Sequence, residues 1–189
     1  MRILKNVLIL SSVSLALSAC GGGNGGGATP AAIASTPPPV AESQYDIQTK
    51  AAREQFEKRL SDALLDSETW LAANQRKDGV VTTTSGLQYR IDKPSPNPEG
   101  KRYDGDQTVT VHYEGQLTDG TIFDSSFNRG RPELLKPSEL ITGWQEALTL
   151  MTPGDEWTLF MPPALAYGEL GKGGGIPPNA ALIFKVELR

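Results

Sequence analysis

The sequence predicts an α+β domain in which a twisted antiparallel sheet curls around one short helix, with a separate helix before it. Three observations support this prediction. After Gly79, apolar and polar residues alternate in several short segments, which is the pattern of half-buried strands. One segment in that region, about residues 138–151, repeats apolar residues at helical spacing. A longer segment, about residues 44–77, contains no proline or glycine and has helical spacing as well. Many strands with one interrupting helix are typical of α+β domains.

The first twenty residues have the pattern of a bacterial lipoprotein signal. Arg2 and Lys5 precede an apolar run at 7–17, which is shorter than the roughly 20 residues of a transmembrane helix. The tetrapeptide LSAC that follows resembles a lipobox, and Cys20 is the one cysteine of the sequence. We expect residues 1–19 to be the signal peptide and Cys20 to be acylated, which would anchor the protein to a membrane. The alternative is a soluble secreted protein whose cysteine falls there by chance.

Residues 20–43 are expected to form a tether that begins at the lipidated cysteine. The segment is rich in glycine, alanine and proline and almost uncharged, so it cannot bury a core. A flexible chain of this length spans roughly 25–30 Å. Removal of residues 1–19 takes away two positive charges and changes the net charge from −4 to −6. This acidic balance argues against nucleic acid as a partner, because phosphate binding needs a basic face.

Residues 44–78 are predicted to form the N-terminal helix, with Asp46 as a candidate cap at its start and Asp78-Gly79 at its end. Its expected apolar face consists of Phe56, Leu60, Leu64 and Leu71. Such a narrow face must pack on another surface. Two alternatives are open: the helix leans on the following domain, or it pairs with a second copy in a homodimer.

The domain at 79–189 has four clear strand patterns and one helix. The strands are marked by alternating apolar residues at 87–91, 109–113, 157–161 and 182–188. Asp119-Gly120 predicts a hairpin with a type I′ turn, in which both central residues have positive φ. The helix, about residues 138–151, places one stripe toward the sheet, formed by Ile141, Trp144, Leu148 and Met151.

Few residues are available for covalent or metal chemistry. The single histidine, His112, alternates with Val111 and Tyr113 in a strand and is expected to point away from their face. Beyond Cys20 there is no thiol, and the scattered carboxylates lack metal-ligand spacing. We therefore expect no catalytic triad, no metal site and no cofactor. The glycine-rich run at 168–175 matches neither the P-loop nor the dinucleotide pattern, so it predicts no nucleotide site.

Five aromatic residues are candidates for a binding pocket. They lie at strand ends, at a helix start or beside the glycine-rich run, and are Tyr113, Phe123, Trp144, Tyr167 and Phe184. Each taken alone is more often a core residue. As a set, they would line a dry concave pocket with a few polar groups, which is the usual form of a small-ligand site.

Three motifs around these residues resemble the FKBP family of peptidyl-prolyl cis–trans isomerases. They are VHYEGQLTDGTIFDSS, ELITGWQEAL and PPALAYGELGKGGGIPPNAALIFKVEL, and the similarity extends over about residues 79–189. The resemblance implies the FKBP half-barrel, a twisted antiparallel sheet wrapped on a short helix. It also implies peptidyl-prolyl isomerase activity on proline-containing polypeptides, with macrolides of the FK506 or rapamycin type as possible inhibitors.

The resemblance also implies a role for each pocket residue. Trp144 would form the floor under the proline ring, and Tyr167 would hydrogen-bond a substrate carbonyl. Asp124 would lie at the polar edge and pair with Arg129. The remaining substrate-binding positions implied are Tyr113, Phe123, Leu135, Leu140, Ile141, Ile176 and Phe184. Leu135 replaces a common phenylalanine and Gly175 replaces a branched aliphatic residue, while Lys172 occupies a variable position.

Two functions from different classes fit these residues. The first is an isomerase in the bacterial envelope that acts without a nucleophile or general base and assists the folding of envelope and secreted proteins. The second is a chaperone-like or scaffold module that binds peptides with little turnover, for which the N-terminal helix would widen the binding surface.

Gly21 follows the lipobox cysteine where an aspartate is associated with inner-membrane retention in some bacteria. We therefore expect an outer-membrane anchor with the domain facing the periplasm.

Overall fold

The computed structural model describes residues 44–100, 102–103 and 106–189. These residues belong to one compact unit, Glu42–Arg189. The expected signal peptide, Cys20 and the whole tether belong to residues 1–43, outside the described residues, so their assignments stay predictions.

One antiparallel sheet of seven strands organises the domain, and the predicted α+β fold class is confirmed. The sheet has the order β1-β2-β6-β7-β3-β4, and β5 pairs with the same edge of β3 as β4 does. The strands are β1 (Val80–Thr82), β2 (Gln88–Lys93), β3 (Val109–Leu117), β4 (Ile122–Ser125), β5 (Glu133–Leu135), β6 (Glu156–Met161) and β7 (Leu182–Leu188). In the part of the chain that the structure describes, the strands are accompanied by two α-helices, α1 (Gln44–Asn74) and α2 (Thr142–Leu150), and by three short 3₁₀ turns at Pro137–Glu139, Pro163–Leu165 and Gly168–Leu170.

Helix α2 packs against the inner face of the sheet and forms the main core with it. The alternating residues of the central strands point inward, so that Val111, Leu159 and Val186 are at most 2% exposed. Gly143 lets α2 come close to β6, because a Cβ there would lie 2.7 Å from the sulfur of Met161. Burial of these apolar side chains is the main favourable contribution to the stability of the domain.

Helix α1 packs on the outer face of the sheet through its C-terminal half. Leu71 joins Phe160 and Ile183 in a second apolar cluster, and the rings of Trp70 and Phe160 have centroids 5.9 Å apart. Outward-facing residues of β6 and β7 are therefore buried under a helix. The structure thus supports the first alternative for this helix, in which it leans on its own domain.

The predicted apolar face of α1 is partly wrong. Leu71 is buried, but Phe56 is 57% and Leu64 36% exposed. The buried residues of α1 include Ser67 and Asn74, whose side chains are hydrogen-bonded to the domain. A search for apolar spacing misses this face because two of its members are polar. Asp46 lies inside the first turn of the helix and is not its cap residue.

The predicted helix at 138–151 is interrupted. A 3₁₀ turn at Pro137–Glu139 is followed by extended backbone at Leu140 and Ile141, and α2 begins at Thr142. The side chain of Gln145 donates a hydrogen bond to the carbonyl of Leu140 at 2.7 Å, which ties this extended pair to the helix. The periodicity of apolar residues runs through the interruption and does not reveal it.

The predicted hairpin exists, but its turn type differs. Gly120 has φ +89°, and Asp119 does not have a positive φ. The amide of Gly120 donates to the carbonyl of Leu117 at 3.0 Å. This geometry is a three-residue loop with one glycine in the left-handed region. Asp119 contributes differently, because its carboxylate accepts a hydrogen bond from the amide of Thr121 at 2.8 Å.

No helix among the described residues is both long enough and apolar enough to span a membrane.

Candidate active site

A cavity of about 440 Å³ collects most of the predicted site residues in one place. Ten of the eleven predicted pocket residues line it: Tyr113, Phe123, Asp124, Leu135, Leu140, Ile141, Trp144, Tyr167, Ile176 and Phe184. Arg129 does not line the cavity and contacts two residues that do. Four lining residues were not among the predicted ones: Glu139, Lys172, Gly173 and Gly174.

Four aromatic rings form the interior of the cavity. Trp144, near the start of α2, is 4% exposed, and its ring meets those of Tyr113 and Phe184 edge-on at 5.5 and 5.4 Å. Phe123 meets Phe184 edge-on at 5.6 Å. Edge-to-face pairs at this spacing are the favoured arrangement for aromatic side chains, so the rings hold one another in place. The indole of Trp144 therefore contacts aromatic side chains from two strands, Tyr113 on β3 and Phe184 on β7.

Gly115 makes room for the aromatic interior. It lies inside β3, near the end of the strand, and a Cβ there would come within 2.6 Å of the Phe123 ring and 2.7 Å of the Phe184 ring. Any side chain would force these two rings apart. A lone glycine inside a strand pattern often marks a close approach, which is the signal that sequence reasoning could have used.

A hydrogen-bonded group of three residues forms the polar edge of the cavity. The hydroxyl of Tyr113 donates to one carboxylate oxygen of Asp124 at 2.7 Å, and Arg129 donates to the other at 2.5 Å. Arg129 also donates to the Tyr113 hydroxyl at 3.0 Å, lies over the Tyr113 ring, and pairs with Glu133 at 2.9 Å. Asp124 is therefore fixed in orientation by donors on both of its oxygens.

This group fixes the charge of its members around neutral pH. Burial alone would raise the pKa of Asp124, but the hydrogen bonds from Tyr113 and Arg129, together with the arginine charge, lower it below its usual value. Burial and the neighbouring carboxylate raise the pKa of Tyr113 to about 12. The pKa of Arg129 is raised by its bonds to Asp124 and Glu133. At neutral pH the group is therefore a carboxylate, a neutral phenol and a guanidinium.

A short flap at 167–176 closes one side of the cavity. Lys172 and Ile176 exchange two backbone hydrogen bonds, at 3.0 and 3.2 Å, so that Gly173, Gly174 and Gly175 form the tip. Gly171 is required at the base, because a Cβ there would lie 2.5 Å from the carbonyl oxygen of Ile176.

Tyr167 at the start of the flap has its hydroxyl within hydrogen-bond distance of the Lys172 ammonium, which donates to it at 3.3 Å. The same ammonium lies 5.0 Å from the centre of the Tyr167 ring. No carboxylate lies within ion-pair distance of Lys172 among the residues that the structure describes. Because the Tyr167 oxygen accepts this bond from lysine, the phenolic proton of Tyr167 stays available to a bound molecule.

Gly175 does not line the cavity, although it stands where the family resemblance places a branched residue. Its φ is +111°, and a Cβ would meet no atom within 4 Å. Leu135 does line the cavity.

His112 lies outside the cavity and has a structural partner. Its Nδ1 is within hydrogen-bond distance of the Ser126 hydroxyl, and its ring stacks on Phe127 with centroids 4.1 Å apart. Ser126 is fully buried and is also bonded to the backbone of Tyr113. Within the described part of the chain, no group of three or more histidine, cysteine and acidic residues is placed to hold a metal ion.

The cavity thus combines an aromatic floor with a few polar groups at its rim. An apolar ring would fit against Trp144, while the flanking polar atoms of the same molecule would face Tyr167 and Asp124. This division is typical of sites that hold a small apolar group and orient it through hydrogen bonds.

Two family models match the chain. The model described as FKBP-type peptidyl-prolyl cis-trans isomerase matches residues 100–189. The model described as the domain amino terminal to FKBP-type peptidyl-prolyl isomerase matches residues 30–91.

Similar individual proteins carry related names. The chain is 49% identical over 122 residues to the peptidyl-prolyl cis-trans isomerase Mip of Coxiella burnetii, which covers 65% of this chain and 52% of that protein. It is 42% identical to the outer membrane protein MIP of Legionella longbeachae, over 77% of this chain and 60% of that protein. The crystal structure of FkpA from Escherichia coli superposes with a TM-score of 0.66 at 32% identity, covering 78% of this chain and 72% of that one. The chain thus spans about half the length of the two named sequence relatives.

The link between Arg129 and Asp124 generates a pH prediction. The pKa of Asp124 is lower in the folded state than in the unfolded state. Its interactions therefore stabilise the fold at a pH above the unfolded-state pKa, and this stabilisation is lost as the pH falls through the folded-state pKa. In Arg129→Met the lowering contribution of the guanidinium is removed while burial remains. We expect the pKa of Asp124 to rise, measured by NMR titration of the carboxyl carbon. Arg131→Met removes the same charge from a neighbouring exposed position and serves as control. An equal rise in both variants would contradict the assignment.

Proposed function

Because the chain belongs to the family of FKBP-type peptidyl-prolyl cis-trans isomerases, we propose that it is itself an isomerase of X-Pro peptide bonds. Its substrates are proline-containing segments of envelope and secreted proteins. The observation that supports this most is the aromatic cavity over Trp144, with Tyr167 and Asp124 at its rim. The proposal needs no cofactor.

The chemistry of the reaction suits such a cavity. Rotation about an X-Pro bond must break amide resonance, across a barrier of roughly 18–20 kcal/mol, and no covalent bond has to form. The twisted amide has less charge separation than the planar one. A water-poor aromatic surface therefore favours the twisted state over the ground state, which is the requirement for catalysis. Trp144 would supply that surface beneath the proline ring.

The two polar groups at the rim would orient the rotating bond. Tyr167 would donate a hydrogen bond to a substrate carbonyl and hold the peptide backbone in a turn. Asp124 would act as a fixed negative charge near the rotating carbonyl or its amide, because Tyr113 and Arg129 keep it ionised and in place. Both contributions are stronger in a cavity from which water is excluded.

Variants at the rim test this assignment. We expect Tyr167→Phe and Asp124→Ala each to lower kcat/KM by about two- to tenfold, the value of one hydrogen bond. The measurement is an isomerase assay on a series of X-Pro peptides, with and without a macrolide of the FK506 or rapamycin type. Tyr89→Phe is the matched control, because Tyr89 stacks on Trp157 away from the cavity. Full rates in both rim variants would show that the roles are wrong, and no activity in the unsubstituted chain would overturn the function.

The alternative function is a peptide-binding chaperone or scaffold module with little turnover. The observation that favours it is the N-terminal half of α1, where residues 44–59 are exposed on all sides and include Tyr45, Ile47 and Phe56. Such apolar side chains would add surface for unfolded segments. A proline-limited refolding assay, set against an aggregation-suppression assay, separates the two functions when both are run with and without residues 44–78.

We also propose that the protein is held at the bacterial envelope by a lipid on Cys20, with the outer membrane as its site and the domain facing the periplasm. The signal pattern at 1–20 supports this, as does the name of the relative called an outer membrane protein. Cys20→Ser is expected to move the protein from the membrane fraction to the soluble fraction. Retention of this variant in the outer membrane would contradict the anchor.

Association of two copies is the second use of α1 that the exposed residues support. Ile47, Phe56 and Leu65 are each more than half exposed on this helix. We expect sedimentation equilibrium to detect a dimer that is lost when these three residues are changed to serine. A monomer at every concentration would exclude the dimer.

A further inference from the structure

Asn179 joins the flap of the cavity to helix α1. It follows Pro177-Pro178 at the end of the flap, is 4% exposed, and has φ +53°. Its backbone amide donates to the carbonyl of Gly168 at 2.8 Å, and Gly168 directly follows Tyr167. Asn179 therefore ties the exit of the flap, just after Ile176, to its entrance, just after Tyr167.

The same residue is bonded to the middle of α1. Its side-chain amide donates to the carbonyl of Leu60 at 2.8 Å. The hydroxyl of Ser67 donates to the carbonyl of Asn179 at 2.6 Å and accepts from the amide of Ala181 at 2.9 Å. Three hydrogen bonds thus connect α1 to a segment more than a hundred residues away in the sequence, beside the cavity.

Breaking these contacts by undocking α1 would cost free energy. Asn179 is the one residue other than glycine with a positive φ in the part of the chain that the structure describes. That conformation is strained for a residue with a side chain and persists when surrounding contacts hold it. Departure of α1 would also remove the partners of buried polar groups on Asn179 and Ala181, which is unfavourable. The docking of α1 and the shape of the flap are therefore coupled.

We propose that Ser67 and Asn179 are positioning residues, through which helix α1 holds the flap in the shape that binds substrate. Neither residue lines the cavity, so both act through Tyr167 and Ile176 at the two ends of the flap. This inference rests on the proposed isomerase function and deepens it. Under this proposal, α1 controls the geometry of the active site, in addition to any role as a spacer or as a surface that binds unfolded polypeptides.

The coupling is reciprocal. If docking of α1 favours the binding shape of the flap, occupation of the cavity must favour docking of α1 by the same free energy. A peptide bound over Trp144 is therefore expected to slow amide hydrogen exchange in residues 60–74, although those residues lie on the opposite face of the sheet from the core helix.

The test compares two buried contacts of the same helix in the full chain, one to the segment beside the flap and one to β2. Ser67→Ala and Asn179→Gly remove contacts to the flap, and glycine keeps the positive φ without strain. The control is Asn74→Ala, since Asn74 is also buried on α1 but bonds Gln88 on β2, away from the cavity, at 2.9 Å. We expect kcat/KM for an X-Pro tetrapeptide anilide to fall about fivefold in the first two variants and less than twofold in the control. Equal losses in all three variants would reduce the effect to general loosening of α1 and overturn the proposal.

A double-variant measurement separates positioning from stability. If Ser67 acts through the Tyr167 hydroxyl, Ser67→Ala should lower kcat/KM much less in a Tyr167→Phe background than in the unsubstituted chain. Additive losses would exclude the route through Tyr167, and additive losses together with unchanged hydrogen exchange in the flap would overturn the proposal. Hydrogen exchange of residues 168–176 provides a readout without catalysis: it should be faster in Ser67→Ala and unchanged in Asn74→Ala. If the unsubstituted chain is inactive, the isomerase function fails, while the exchange result still decides whether α1 controls the flap.

Discussion

The pairing of β3 with β7 is the interaction on which the site depends. In their register Tyr113 lies opposite Val186, and Gly115 lies opposite Phe184. The inner face of this pair carries two of the four aromatic rings of the cavity, and α2 packs Trp144 against both of them. Because side chains alternate along a strand, a slip of β3 by one residue would move Tyr113 to the outer face, and a slip of β7 would do the same to Phe184. The core and the cavity are therefore products of the same long-range contact.

The two faces of the sheet pack against different helices. The inner face is apolar and holds α2, whereas the outer face is covered by α1 over Phe160 and Ile183. Asn179 lies where these two layers meet the flap. Where a sheet is buried on both faces, a displacement of one layer is transmitted to the other, because the packed side chains have little free volume. This arrangement explains how a helix outside the cavity can determine the geometry within it.

The sequence predicted the fold and the membership of the cavity better than it predicted local geometry. Alternating apolar residues located β3, β6 and β7 because these strands lie in the middle of the sheet, with one regularly buried face. The three-residue strands β1 and β5 are too short to show a period. The break at Leu140-Ile141 was missed because apolar spacing continues across it, and Gln145 compensates the backbone there.

The other residues that the sequence did not predict make polar contacts that depend on the complete fold. Ser67 and Asn74 are buried on α1, but hydrophobic periodicity treats them as exposed. Glu139 and Lys172 reach the rim of the cavity from loops whose positions depend on the complete fold. Arg129 was placed beside Asp124 through the family resemblance, and spacing alone would not have paired them.

The charges at the rim bear on the kind of catalysis the cavity can perform. Transfer of a proton near neutral pH needs a group whose pKa lies close to 7. The pKa of Asp124 is held below its usual value, and that of Tyr113 is about 12, so neither exchanges a proton there. His112 lies outside the cavity and bonds Ser126. The groups around Trp144 are thus suited to desolvation, orientation and fixed charge. Rotation about a peptide bond requires these contributions and no proton transfer, so the chemistry of the site and the proposed reaction agree.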